Sequence, residues 1–209
     1  MNRDYSLYVV TDEELSHGFT HREIAEQAVR GGATVIQLRD KTKSARELFL
    51  IAQEIKAITN CADALCIMND RLDIALGADA DGVHLGQSDL PLSIARRLAP
   101  PPFIIGISVR SVAQAQQAER EGADYLAVSP VFETGSKSDA GPGSGLKMLT
   151  EIVHAVHIPV IGIGGINHLN LDQLFHAGAC GVAVISAVVS AKDIEAATRA
   201  MKEQIIHLI

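Results

Sequence analysis

The sequence predicts a (β/α)8 barrel, a TIM barrel in which residues 1–209 form one domain. Three observations carry that expectation. Eight short apolar runs rich in Val and Ile recur with little polar alternation, as strands covered on both faces should. Helical patterns separate many of them, and several stop at a glycine just before the next run, where glycine accepts the left-handed conformation that ends a helix. Strand, helix and stop recur roughly every 25 residues, which implies parallel strands joined by right-handed crossovers. No proline- or serine-rich linker divides the chain. An open doubly wound sheet is the alternative, weakened by the lack of a GxGxxG turn after the first strand.

In chain order the runs are LYVVTD from Leu7, TVIQLRDK from Thr34, LCIMND from Leu65 and GVHLGQSD from Gly82. IIGIS from Ile104, YLAVSP from Tyr125, PVIGIGG from Pro159 and VAVIS from Val182 complete the set. Between the second and third, Leu48, Ile51, Ala52, Ile55 and Ile58 share one helical face, as do Ile194, Ala197, Met201, Ile205 and Leu208 near the end. RGGATVI, EGADYLAV and HAGACGVAV are the clearest glycine stops.

Composition narrows the function. The net charge of -7 and the absence of tryptophan leave no basic, aromatic surface to neutralise phosphates, which argues against a nucleic-acid partner. No apolar run approaches the roughly 20 residues that span a bilayer. Arg3 and Asp4 interrupt any signal-like N-terminus. Cys61, Cys66 and Cys180 are odd in number, without a CxxC pair, so reduced core thiols in a cytoplasmic protein are expected. Oligomeric state stays open, a homo-oligomer included.

The second run ends oddly for a core strand, in Arg39, Asp40 and Lys41 after Gln37 and Leu38. Other runs end in like fashion. The third closes on Asn69, Asp70 and Arg71, the fourth on His84, Gln87 and Asp89, and the fifth on Ser108 with Arg110 nearby. The sixth enters a glycine-rich segment, 129–145, that suits a mobile lid. The last two end in Gly164-Gly165 and Ile185-Ser186. In a barrel these ends share one rim, where active sites lie, and the opposite ends carry no comparable set. Asp70 and Asp89 on adjacent strands could approach one hard cation such as Mg2+; each alone could instead cap a helix. Arg39, Lys41 and Lys137 beside them suit a polyanion, held locally against the unfavourable overall charge. The glycine-rich seventh end suits phosphate binding through backbone N–H groups. His84 reads equally as a packed histidine and as a ligand or proton carrier.

QLRDK at 37–41, NDR at 69–71, GVHLGQSD at 82–89, GIS at 106–108, TGSK at 134–137, GIGGI at 162–166 and VIS at 184–186 together resemble the thiamine-phosphate synthase family. The motifs come in the family's order, one per strand end. The resemblance implies an enzyme that joins hydroxymethylpyrimidine diphosphate to a thiazole phosphate, releasing pyrophosphate. It further implies that Gln37, Leu38, Arg39, Asp40, Lys41, Asn69, Ser108 and Lys137 hold the pyrimidine diphosphate, with Lys137, Arg39 and Lys41 acting on its developing charge. Asp70 and Asp89 would hold Mg2+, and Thr134, Ser136, Gly165, Ile185 and Ser186 the thiazole phosphate. Departures from the family pattern are Ser136 for threonine, Ser129 for glycine and Arg110 for histidine. The related thiazole tautomerases are the alternative, although at least some carry a histidine where this chain has Pro130. A non-catalytic regulator on the same barrel is the other, and it would not need the full leaving-group apparatus.

Overall fold

The structure is a computed structural model and describes residues 3–133 and 145–209. Each apolar run becomes a strand: β1 (Leu7–Val10), β2 (Val35–Leu38), β3 (Leu65–Asn69), β4 (Gly82–Leu85), β5 (Ile104–Val109), β6 (Tyr125–Val128), β7 (Val160–Ile163) and β8 (Gly181–Val184). Between them run α1 (His21–Arg30), α2 (Ala45–Asn60), α3 (Leu72–Gly77), α4 (Leu92–Leu98), α5 (Val112–Arg120), α6 (Gly145–Ala155) and α7 (Leu171–His176). After β8 come a short α8 (Ser186–Val189) and α9 (Ile194–Ile206). Every strand pairs in parallel with the next, and β1 closes the barrel on β8 with Leu7 opposite Val182 and Tyr8 opposite Ala183.

Two-residue periodicity divides the core. Tyr8, Val10, Val35, Ile67, Ile104, Tyr125, Ile161 and Ala183 fill the barrel interior. Their neighbours Leu7, Val9, Ile36, Leu38, Cys66, Met68 and Val83 pack outward beneath the helices. Both faces are therefore dry, which is why the runs show no polar alternation. Burial of each Val, Leu or Ile contributes about 1.5–3 kcal/mol. Gly106 is required by the interior: a Cβ there would lie 2.0 Å from Cζ of Tyr125, whose ring crosses the barrel against the bare backbone.

Helix starts follow local chemistry. Thr20 with Glu23 and Ser44 with Glu47 form reciprocal capping boxes on α1 and α2. Glycine stops also appear, with Gly32, Gly122 and Gly178 at φ of +97°, +91° and +92°. After α2 and α3, Asp63 and Asp79 adopt the same left-handed conformation, at φ of 55° and 53°, so the glycine signal is missing there. On α9, Thr198 is buried rather than Ala197, its hydroxyl donating to the Ile194 carbonyl at 2.7 Å. The expectation of core cysteines holds for Cys66 alone. Cys61 and Cys180 are exposed, because Cys61 caps the C-terminus of α2 and Cys180 precedes β8 at the barrel's opposite rim. Among the described residues, no helix is long and apolar enough to cross a membrane.

Candidate active site

At the C-terminal ends of β2 to β6 lies a cavity of ≈ 450 Å³ lined by Arg39, Lys41, Asn69, Asp70, Asp89 and Ser108, with His84, Gln87, Arg110, Gln114 and Ser129 among its other walls. Strand register produces this. Gln37, Asn69, His84 and Ser108 occupy inward positions that alternate with outward-packed Leu38, Met68, Leu85 and Val109.

The floor is a buried hydrogen-bond chain. Gln37 Nε2 donates to the Tyr8 hydroxyl at 2.7 Å, which lies 3.0 Å from the Tyr125 hydroxyl. That hydroxyl lies 3.0 Å from His84 Nδ1, and His84 Nε2 lies 2.9 Å from Ser108 Oγ. Burial pushes both phenols far above the ordinary tyrosine range, so they remain neutral. Such a chain fixes the Gln37 amide and the Ser108 hydroxyl before any ligand arrives, a preorganisation that costs no reordering on binding.

On one wall stand two carboxyl groups. Asp70 takes a left-handed φ of 60°, which aspartate tolerates, and its N–H donates to the His84 carbonyl at 2.9 Å. Asp89 Oδ2 accepts from the Gly86 N–H at 2.6 Å. Burial first, then the hydrogen bond and charge of Asp89, push the Asp70 carboxyl up to about 6, against the pull of Lys41 and Arg39. Two facing carboxyls are a donor set suited to a hard divalent cation, which would relieve their mutual repulsion.

The cations are positioned from the neighbouring loop. Arg39 Nη1 donates to Asp12 Oδ2 at 3.3 Å, and the Arg39 N–H reaches Thr11 Oγ1 at 3.4 Å. Asp40, between Arg39 and Lys41, turns the other way. Its Oδ1 accepts from the Thr42 N–H at 2.7 Å and the Lys43 N–H at 2.9 Å; its Oδ2 lies 3.1 Å from His21 Nε2. Burial alone would raise its pKa, but these bonds hold the carboxyl well below the usual range. Glu13, His21 and Asp40 bring potential ligand atoms within 4.8 Å of one another, yet the Lys43 ammonium already bonds both carboxylates and supplies the cation there.

Beside this cavity, the ends of β7 and β8 form a second part of the rim. Gly164 and Gly165 adopt φ of +104° and +66°, and a Cβ on Gly165 would lie 2.5 Å from the Glu133 carbonyl oxygen. The bare turn lets the chain after β6 run alongside, with Val131 N–H donating to Ile163 O at 2.9 Å and Phe132 N–H to Gly164 O at 3.1 Å. Ile185 buries its side chain in the barrel interior, while exposed Ser186 opens α8.

Comparison with known proteins decides the relationship. The sequence model of the family described as thiamine monophosphate synthase matches residues 7–188. The chain belongs to that family. It is 54% identical to the thiamine-phosphate synthase of Methanospirillum hungatei over 204 residues, covering 98% of this chain and 99% of that one. To the thiamine-phosphate synthase of Methanoculleus marisnigri it is 56% identical over 201 residues, with 96% and 95% covered. The solved thiamine phosphate pyrophosphorylase of Pyrococcus furiosus superposes with a TM-score of 0.92 at 42% identity, covering 99% and 98% of the two chains. A 3-hexulose-6-phosphate synthase, at 19% identity and a TM-score of 0.72, shares the fold alone.

For this member of the thiamine monophosphate synthase family, the strand-end residues divide into groups. Arg39, Lys41, Asn69, Asp70, Asp89 and Ser108 line one cavity, with Gln37 beneath it. Leu38 packs fully into the outer layer, so only its main chain remains for a ligand. Asp40 is spent on its own loop, and Gly165, Ile185 and Ser186 lie on the adjoining rim. Thr134, Ser136 and Lys137 lie outside the described residues. Gln114, which joins the cavity from the first turn of α5 and accepts from the Arg110 N–H at 2.8 Å, carries no sequence signal. Gln87, whose Nε2 donates to the Ser108 carbonyl at 2.7 Å, was legible only as one more polar strand-end residue.

Proposed function

We propose that the chain joins a pyrimidine diphosphate to a thiazole phosphate, giving thiamine phosphate and pyrophosphate. Its relatives are named for that synthesis, and a single feature of this site supports it: a carboxyl pair and the cations Arg39, Lys41 and Arg110 around one cavity above a hydrogen-bonding floor. The reaction breaks a bond between a benzylic-type carbon and diphosphate, leaving a pyrimidine cation that the thiazole nitrogen attacks. No activated nucleophile is needed. The demands are charge neutralisation at the leaving group and two substrates held in line.

Asp70 and Asp89 fit a Mg2+ ion, which when bound would neutralise charge on the diphosphate. Arg39 and Lys41 would bind the diphosphate oxygens, Arg39 in a fork already oriented by Asp12. Asn69, Ser108 and the Gln37 carboxamide would take the polar edge of the pyrimidine. One N–H of Gln37 Nε2 is committed to Tyr8, which orients the carboxamide so that its carbonyl oxygen could accept from a ring amine. Gly165, Ile185 and Ser186, with Thr134 and Ser136, would receive the thiazole phosphate, and Lys137 would act on the departing pyrophosphate. The free thiols Cys61, Cys66 and Cys180 support a reducing, cytoplasmic setting.

The tautomerase reading is not favoured, since the relatives found are named as synthases. The test offers the purified protein the aromatic thiazole phosphate with pyrimidine diphosphate, and separately the non-aromatic thiazole precursor alone. Coupling of the first with slow or absent isomerisation of the second is expected. Rapid isomerisation without coupling would reverse the assignment.

A further inference from the structure

We propose that His21, on the first turn of α1, is a positioning residue for the diphosphate site. It holds Asp40 turned out of the cavity so that Arg39 and Lys41, on either side of it, face in. Two-residue alternation continues past the end of β2: Leu38 and Asp40 point away from the cavity that Arg39 and Lys41 line. In a buried strand packing enforces such alternation; on the rim it rests on the bonds Asp40 makes, through Oδ1 to the Thr42 and Lys43 N–H groups and through Oδ2 to His21 and the Lys43 ammonium. A carboxylate whose Oδ2 lost His21 could turn toward the guanidinium or ammonium beside it. Either pairing would compete with an incoming anion for that cation, and would add repulsion against the anion.

The structure closes off that alternative. His21 is 1% exposed, so its imidazole cannot itself reach a ligand. Its Nε2 lies 3.1 Å from Asp40 Oδ2, a carboxylate that can only accept, and its Nδ1 lies 2.7 Å from Thr11 Oγ1. Thr11 in turn touches the same loop twice, its N–H donating to Gln37 O at 2.9 Å and its Oγ1 lying 3.4 Å from the Arg39 N–H. Glu13 completes the frame by accepting from the His21 N–H at 2.9 Å and bonding the Lys43 ammonium, which also reaches Asp40 Oδ2 at 3.2 Å. Ties from Thr11, Glu13 and His21 therefore converge on residues 37–43, the segment that carries the cations. The identity of the anion as a diphosphate rests on the function proposed above; the geometry requires only that Arg39 and Lys41 bind one.

His21→Asn keeps a polar group at the Nδ1 position facing Thr11 but cannot reach Asp40, whereas His21→Gln extends an amide donor toward Asp40. Titration calorimetry with inorganic pyrophosphate in Mg2+ buffer should show a Kd roughly tenfold weaker in His21→Asn, the scale expected when charge partners shift by a fraction of an ångström. His21→Gln should stay within about threefold of wild type. In steady-state coupling, the KM for the pyrimidine diphosphate should rise in His21→Asn while that for the thiazole phosphate holds, a split that a general loss of packing would not produce. Thermal melting confirms that both variants are folded. A pyrophosphate Kd in His21→Asn within twofold of wild type, or equal loss in both variants, would overturn the assignment. Because the calorimetry needs no turnover, absence of coupling by the wild type would count against the proposed reaction and leave this assignment standing on its own result.

Discussion

Replacing Asp70 by asparagine separates what the carboxyl pair does for the fold from what it does for the reaction. Its carboxyl sits at about 6 against an ordinary 3.8, because it is half-buried and faces Asp89. A difference of two units, at about 1.36 kcal/mol per unit, amounts to ~3 kcal/mol held against the folded, metal-free protein near neutral pH. Solvent exposure screens much of this, and about 1 kcal/mol is a fair expectation. The sign follows from the raised pKa. Below about pH 4 both folded and unfolded carboxyls are protonated and no penalty exists; it grows as pH rises and is complete above about pH 6. Asparagine carries no charge and tolerates the φ of 60° at this position, so backbone strain does not confuse the comparison. In EDTA at pH 7.5, Asp70→Asn should melt about 2–4 °C above wild type, and the gap should close toward pH 4. Added Mg2+ should raise the wild-type melting temperature and leave the variant unmoved. Coupling activity should fall by on the order of 10²-fold or more. A variant less stable than wild type at pH 7.5, or a gain independent of pH, would refute the reasoning.

Chelation with EDTA should abolish coupling and Mg2+ restore it; full activity in metal-free buffer would remove Asp70 and Asp89 from a metal role. Lys137→Ala should lower kcat more than it raises KM, since a lysine acting on developing charge matters most in the transition state, whereas near-wild-type steady-state kinetics would mark it as a solvated loop residue. Asp40→Asn should lose about 1–3 kcal/mol in denaturant unfolding at pH 7 by unbalancing the donors around it. Because the folded Asp40 pKa is depressed, its stabilisation is present above about pH 4 and lost as pH falls further, so the two proteins should converge in acid. Convergence at high pH instead would contradict that linkage.

The barrel was legible because burial on both faces leaves an unambiguous mark, eight Val- and Ile-rich runs, and all eight became strands. Helix ends were less so. Where glycine took the left-handed stop it was visible, but Asp63 and Asp79 do the same work and read as ordinary polar residues. In the site, sequence shows which residues reach the rim but not which way a rim side chain turns. Asp40 looked like part of the anion site, and partners supplied by Thr42, Lys43 and the distant His21 turn it outward. The floor was hidden for another reason. Tyr8 and Tyr125 read as core aromatics, and their hydroxyls meet only because β1 and β6 face each other across a closed barrel. Gln114 gave no signal, since a glutamine on an exposed helix turn is commonplace.

The most direct test is a coupling assay with purified protein, both phosphorylated substrates and Mg2+, following thiamine phosphate and pyrophosphate together. Formation of the two in equal amounts, dependent on both substrates, is the predicted result. Stable substrates under those conditions, with the protein folded and metal present, would contradict the account.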